Sequence, residues 1–211
     1  MRPIRTRPLV TLLLGLALGA CGASTPSASA VAATISLANG SAALLWGSGQ
    51  YGVVLVHGAV YDAASWGAQA QTFAEHGMTV LAVEQADAES VGAAIGYLRD
   101  DRGLPRVAVL GASAGSAAAL AVGRDQPELV DQLILLSGGG DVASLGDFPK
   151  LFAASQGEPA ASEAERMAAD APGDWNALYL APGSAHAQAI FGSEGGSALL
   201  DALVARLEER R

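Results

Sequence analysis

The sequence predicts an α/β fold: a three-layer α/β/α sandwich around a mostly parallel, twisted sheet. Three observations carry this. Strand-length apolar runs alternate with helix-length amphipathic segments along most of the chain, which is the pattern of βαβ units. Two of the runs, GVVLVH (52–57) and MTVLAV (78–83), are continuously apolar and rich in β-branched residues, as strands covered on both faces must be. A tight turn of small residues, GASAG (111–115), joins one such run directly to a helical segment.

The elements follow in order. Thr34–Leu37 and Ala42–Trp46 read as strands of a hairpin turned at Asn39-Gly40, giving the sheet an antiparallel edge. After the strand Gly52–His57, residues Ala64–His76 are helical, and Gly77 supplies the helix stop. Strand Met78–Val83 precedes helix Ala88–Asp100, and strand Arg106–Leu110 precedes helix Ala114–Arg124. Asp131–Leu136 is a further strand and Lys150–Ala154 a weaker one, because it opens on a charge. Ser162-x-x-Glu165 resembles a capping box opening a short helix. Ala177–Leu180 is the last strand, and Ser197–Arg210 closes the chain as an amphipathic helix. A chain of 211 residues suits one domain, and no repeat divides it.

Composition excludes several classes. With 51% hydrophobic and 16% charged residues the chain is not disordered. A net charge of −9 argues against nucleic acid as a partner. Only three histidines are present, without metal-ligand spacing, so neither a metal nor another cofactor is implied.

The N-terminus is expected to lie outside the fold. Arg2, Arg5 and Arg7 precede an apolar run, Leu9–Leu18, too short to span a bilayer comfortably. The run ends in Leu-Gly-Ala-Cys21, which resembles the lipobox of bacterial lipoproteins. The resemblance implies a signal peptide over residues 1–20, lipidation of Cys21 and a bilayer as partner. It also implies residence in the bacterial cell envelope, facing away from the cytoplasm. Cys21 is the chain's only cysteine, so no disulfide would staple the mature domain. Loss of three arginines would take the net charge to −12. Residues 21–33, rich in Ser and small residues, read as a flexible tether, leaving 34–211 as the folded domain.

Chemistry centres on GASAG. With 26 Gly and 17 Ser in the chain, chance alone supplies about 0.26 Gly-x-Ser-x-Gly matches, so flanks and partners must decide. The flanks fit: strand 107–110 runs in and a helix runs out, lifting Ser113 into a cleft beside a helix N-terminus whose free N–H groups favour developing negative charge. The dinucleotide-binding alternative wants Gly-x-Gly-x-x-Gly at this strand-to-helix turn, and GASAGS (111–116) does not supply it. For a general base the chain offers His57, His76 and His186. His76, just before the helix-ending Gly77, reads as a surface residue.

The segments VVLVHGA, VAVLGASAG, LILLSGG and PGSAHA, together with the region of Trp66, resemble the α/β-hydrolase superfamily, in particular small esterase-like and dienelactone-hydrolase-like members. That likeness implies a Ser–acid–His triad in chain order, with Ser113 as nucleophile and His186, just beyond the last strand, as base. It places His57 in the oxyanion loop, and it implies oxyanion donors at the backbone N–H groups of Ala59 and Ala114. The acid is expected at Glu158, in the Glu-Pro turn after the weak strand, with Asp141 the runner-up and Asp170 and Asp174 behind it. Dienelactone hydrolases use a Cys nucleophile, and Ser113 departs from that. The loop EQADAES lacks the glycines relatives carry there, and the short stretch from Gly138 to Pro149 leaves no room for a cap domain. An open cleft taking short or activated esters follows, with Tyr61, Trp66 and Phe148 as possible lining. A non-catalytic envelope binding protein on the same fold, or an amidase or peptidase, are the competing readings.

Overall fold

The computed structural model describes residues 32–209. The expected signal segment, Cys21 and most of the tether lie outside these residues. Ala33, at the tether's expected end, already pairs with Leu45 in the first strand.

Eight strands form one sheet: β1 (Ala33–Ser36), β2 (Ala42–Trp46), β3 (Tyr51–Val56), β4 (Met78–Val83), β5 (Val107–Ala112), β6 (Gln132–Leu136), β7 (Lys150–Ser155) and β8 (Asn176–Ala181). Their spatial order is β1-β2-β4-β3-β5-β6-β7-β8. The β1–β2 and β2–β4 pairs are antiparallel, and every other pair is parallel. The hairpin therefore makes the edge the sequence predicts, although its loop spans residues 37–41 rather than a two-residue turn. Gly40 takes φ +83°, and Asn39 Oδ1 accepts from the N–H and hydroxyl of Ser41.

Five helices cover the sheet: α1 (Gly67–Glu75), α2 (Ala88–Gly96), α3 (Gly115–Asp125), α4 (Ala160–Asp170) and α5 (Gly196–Glu208). Alternate strand residues face opposite layers. Val54, Val56, Val107, Val109, Leu133 and Leu135 pack with α2, α3 and α4. Val53, Leu55, Ala108, Leu110, Ile134 and Leu136 pack with α1 and α5. Each central strand is thus buried on both faces, which is why its residues are almost all apolar, with Thr79 and Gln132 as buried exceptions.

Two local expectations are corrected. Helix α4 begins at Ala160 after Pro159, whose fixed φ suits a helix start, so Ser162 and Glu165 lie inside its first turns rather than forming a capping box. The Ser162 hydroxyl instead donates to Pro159 O. The helix expected over 88–100 is α-helical only to Gly96 and continues as a π turn, Tyr97–Asp101. Strand β7, weak in sequence, is fully buried between β6 and β8.

Candidate active site

The site lies at the C-terminal ends of the parallel strands, where loops leave the sheet. Strand β5 delivers Ser113 one residue past its end, and α3 begins two residues later. Ser113 holds φ +49°, and its N–H donates to Leu136 O at 2.9 Å, pinning the turn to β6. The two motif glycines are there for space. A Cβ on Gly111 would lie 2.7 Å from Gly115 O, and one on Gly115 would lie 2.6 Å from both Val56 O and His57 O. The α3 N-terminus thus sits against the end of β3, and only hydrogen fits between them.

Chain segments far apart in sequence then converge on this serine. His186 follows β8 and places Nε2 2.8 Å from Ser113 Oγ. Its Nδ1 lies 2.5 Å from Glu158 Oε2. Glu158 is only 7% exposed, in the loop between β7 and α4. A buried carboxylate must be hydrogen-bonded. Its other oxygen, Oε1, accepts from the Ser137 hydroxyl and from the Ser155 N–H, both at 2.6 Å. The acid loop is laced to the histidine loop through Gln156 N–H to Ala181 O and Gly157 N–H to Gly183 O, each 2.8 Å.

Asp141, the runner-up acid, is exposed. Its carboxylate accepts from the N–H of Ala143 and does not partner His186. Asp170 pairs with Arg166 on α4, and Asp174 is exposed before β8. His76 lies on the surface beside Glu208. His57 is buried, with its ring nitrogens facing Gly58 O at 2.9 Å and Glu84 O at 3.1 Å, so it fastens β3's end to the loop after β4.

Ala59 and Ala114 are both exposed beside Ser113. Among the described residues neither backbone N–H has a partner. Their loops are held from behind. Gly58 N–H donates to Gln188 Oε1 at 2.8 Å, and Gln188 Nε2 donates to Ser65 Oγ. A Cβ on Gly58 would lie 3.4 Å from Ser113 Cβ, so this loop runs directly beside the serine.

Sequence reasoning missed Ser137 and Gln188. Ser137, 4% exposed with φ +49°, donates to Glu158 and accepts from the N–H of Ala187, so one hydroxyl ties the acid to the histidine loop. Its signal was the single polar residue ending the apolar run LILLS. Gln188, two residues after His186, carried no signal, because its partners come from remote segments. Of the aromatic residues expected to line the cleft, Tyr61 is at the surface and Trp66 is fully buried against Phe191. Phe148 lies at the opposite, N-terminal end of β7, under the Lys150 ammonium. Among the described residues no group of three or more His, Cys, Asp or Glu is placed to hold a metal ion, and no helix is long and apolar enough to cross a membrane.

No family model and no curated protein matches the sequence. Solved structures do. A dienelactone hydrolase from Anabaena variabilis is 16% identical, with 85% of this chain and 96% of that chain covered and a TM-score of 0.72. MGS-MChE2, an α/β hydrolase enzyme from the metagenome of sediments of the Mar Chica lagoon in Morocco, is 21% identical over 80% and 95%, with a TM-score of 0.64. An esterase from Exiguobacterium antarcticum is 13% identical over 83% and 98%, with a TM-score of 0.61. Sheet order, layering and these likenesses together give the architecture: the chain has the α/β-hydrolase fold.

Proposed function

We propose that this protein is a serine esterase that cleaves short or activated carboxylic esters through an acyl-enzyme. The observation that carries the reading is the unbroken hydrogen-bonded chain from Ser113 Oγ through His186 to Glu158. In this reading His186 Nε2 takes the proton of Ser113 as its oxygen attacks the ester carbonyl. Glu158, held by Ser137 and Ser155 N–H, accepts a hydrogen bond from Nδ1–H and stabilises the imidazolium without taking its proton. The unpaired N–H groups of Ala59 and Ala114 take the oxyanion, the latter aided by the α3 dipole. His186 then returns the proton to the departing alcohol, and water repeats the sequence on the acyl-enzyme.

A fluorophosphonate probe tests this. Wild type should label and Ser113→Ala should not, with p-nitrophenyl acetate hydrolysis falling by on the order of 10⁵-fold in the variant. A folded wild type that fails to label overturns the proposal. Parallel p-nitrophenyl esters and anilides separate ester from amide chemistry.

We also propose that Cys21 is lipidated and holds the domain on a membrane facing away from the cytoplasm. Its support is the lipobox-like Leu-Gly-Ala-Cys after an apolar run. Labelled palmitate should enter the wild-type chain in a bacterial host and be absent from Cys21→Ala. Equal labelling of both sinks the anchor.

A further inference from the structure

A cleft of about 380 Å³ opens directly beside His186. Its walls are Gly138 and Gly139 after β6 on one side, and Pro159, Ala160 and Glu163 at the start of α4 on the other. Ser137 and His186 also line it. Neither Ala59 nor Ala114 borders it.

Three features decide what such a cleft can take. The first is position. In acylation the bond from Ser113 Oγ to the acyl carbon forms, and the bond from that carbon to the alcohol oxygen breaks. The proton that left Ser113 passes from His186 Nε2 to that oxygen. The carbonyl oxygen faces the Ala59 and Ala114 N–H groups, whereas the alcohol oxygen must face His186. Whatever hangs on the alcohol oxygen is therefore directed to the side of the histidine, where this cleft lies.

The second feature is that every polar side chain in the wall is already spent. The Ser137 hydroxyl donates to Glu158 and accepts from Ala187 N–H. Glu163 Oε1 accepts from Arg166 Nη2 and Gly140 N–H, and its Oε2 accepts from Arg166 Nε. These bonds, led by those from Arg166, hold the Glu163 carboxyl below its ordinary range, so it stays charged and paired. Arg166 in turn also donates to Asp170 and to Gly140 O. Among the described residues no Lys or Arg lines the cleft, and Arg166 beside it is already paired with Glu163 and Asp170, so no unpaired cation faces an anionic substrate.

The third is surface chemistry. Gly138, Gly139, Pro159 and Ala160 offer carbon and backbone alone, and the volume is near the lower end for small-molecule pockets. Gly138 cannot be larger, since its Cβ would fall 2.1 Å from Ser116 Oγ.

We propose that this cleft is the subsite for the alcohol portion of the ester, and that it selects an uncharged, apolar alcohol of about aryl size. The proposal rests on the serine-esterase reading above.

Two substrate series test it. One keeps acetate and enlarges the alcohol from ethyl through benzyl to naphthyl. The other keeps ethanol and lengthens the acyl chain. Ala160→Phe, which fills the cleft, should lower kcat/KM for naphthyl acetate about tenfold and leave the ethyl esters within about twofold. Gly139→Ala makes a milder filling, its methyl meeting only the Glu163 side chain at 3.1 Å, and should show the same pattern more weakly. A third arm needs no variant: wild type should hydrolyse methyl para-acetoxybenzoate about tenfold better than para-acetoxybenzoate, its anionic counterpart. Loss that follows acyl length, no loss in folded variants, or equal turnover of the charged and uncharged pair overturns the subsite. A wild type inactive on every ester overturns the esterase reading itself, which the fluorophosphonate label reports separately.

Discussion

Ser113, Ser137 and Ala187 are the three non-glycine residues with positive φ among those described, at +49°, +49° and +52°. All three lie at the candidate site, and each such conformation costs on the order of 1–3 kcal/mol. The surrounding bonds hold them there. Ser113 N–H is fixed to β6, and Ser137 bonds both the acid and Ala187 N–H. Removing the Ser137 hydroxyl takes one bond from Glu158 and the only side-chain bond from Ala187 N–H, loosening both while Ser155 N–H still holds Glu158. Ser137→Ala should therefore lower kcat by up to on the order of 10²-fold with little change in KM, as steady-state ester kinetics would read. Gln188 acts on the other half of the site. Gln188→Met removes the acceptor for Gly58 N–H, and the affinity of a trifluoromethyl ketone inhibitor should fall in step with kcat/KM, because both depend on where Ala59 N–H points. An inhibitor affinity unchanged while kcat/KM falls would sink that role.

At the scale of elements, the turn from β5 into α3 is the least tolerant joint. Gly115→Ala would press a methyl to 2.6 Å from two main-chain oxygens of the β3 end. Neither is a flexible side chain, so strand or helix must shift. Urea unfolding should show a loss on the order of 3 kcal/mol. The strand-turn-helix around Ser113 was legible in the sequence, because β5 is a continuous apolar run and its two flanking glycines stand where backbones meet. The start of α4 was misread. Ser162 and Glu165 match a capping box by spacing, yet Pro159 begins the helix earlier, and local spacing cannot report which of two competing starts the packing prefers.

Across the whole molecule, the polar site at one end of the sheet is matched by a polar knot at the other. Lys150, the chain's only lysine, is fully buried where β7 begins. Its ammonium donates to Phe148 O and Pro172 O and lies over the Phe148 ring at 4.7 Å. Burial pushes its pKa down to about 8, only partly countered by the charge of Asp147. The folded chain thus binds this proton more weakly than the unfolded chain, whose lysine titrates near 10.4. Below pH 8 this group counts fully against the fold, and stability recovers as pH rises from about 8 toward 10.4. Unfolding free energy measured across that window should climb in wild type relative to Lys150→Met, and a parallel pair of curves would contradict the assignment.

The sequence by itself determined the architecture and singled out Ser113 as the expected nucleophile. Period, run length and the small-residue turn are local properties, and local properties survive without coordinates. Through the family resemblance it also pointed to His186 among three histidines, and to Glu158 ahead of Asp141. Only the tertiary structure shows which carboxylate meets His186: Glu158 does, and Asp141 does not. What separates them is that β6 and β7 are neighbours, so the Ser137 hydroxyl and Ser155 N–H meet one carboxylate, and His186 arrives from β8 on its other oxygen. The alcohol-side cleft, Gln188 and the buried Lys150 belong to the same class: each is defined by partners far along the chain, which no window of sequence contains.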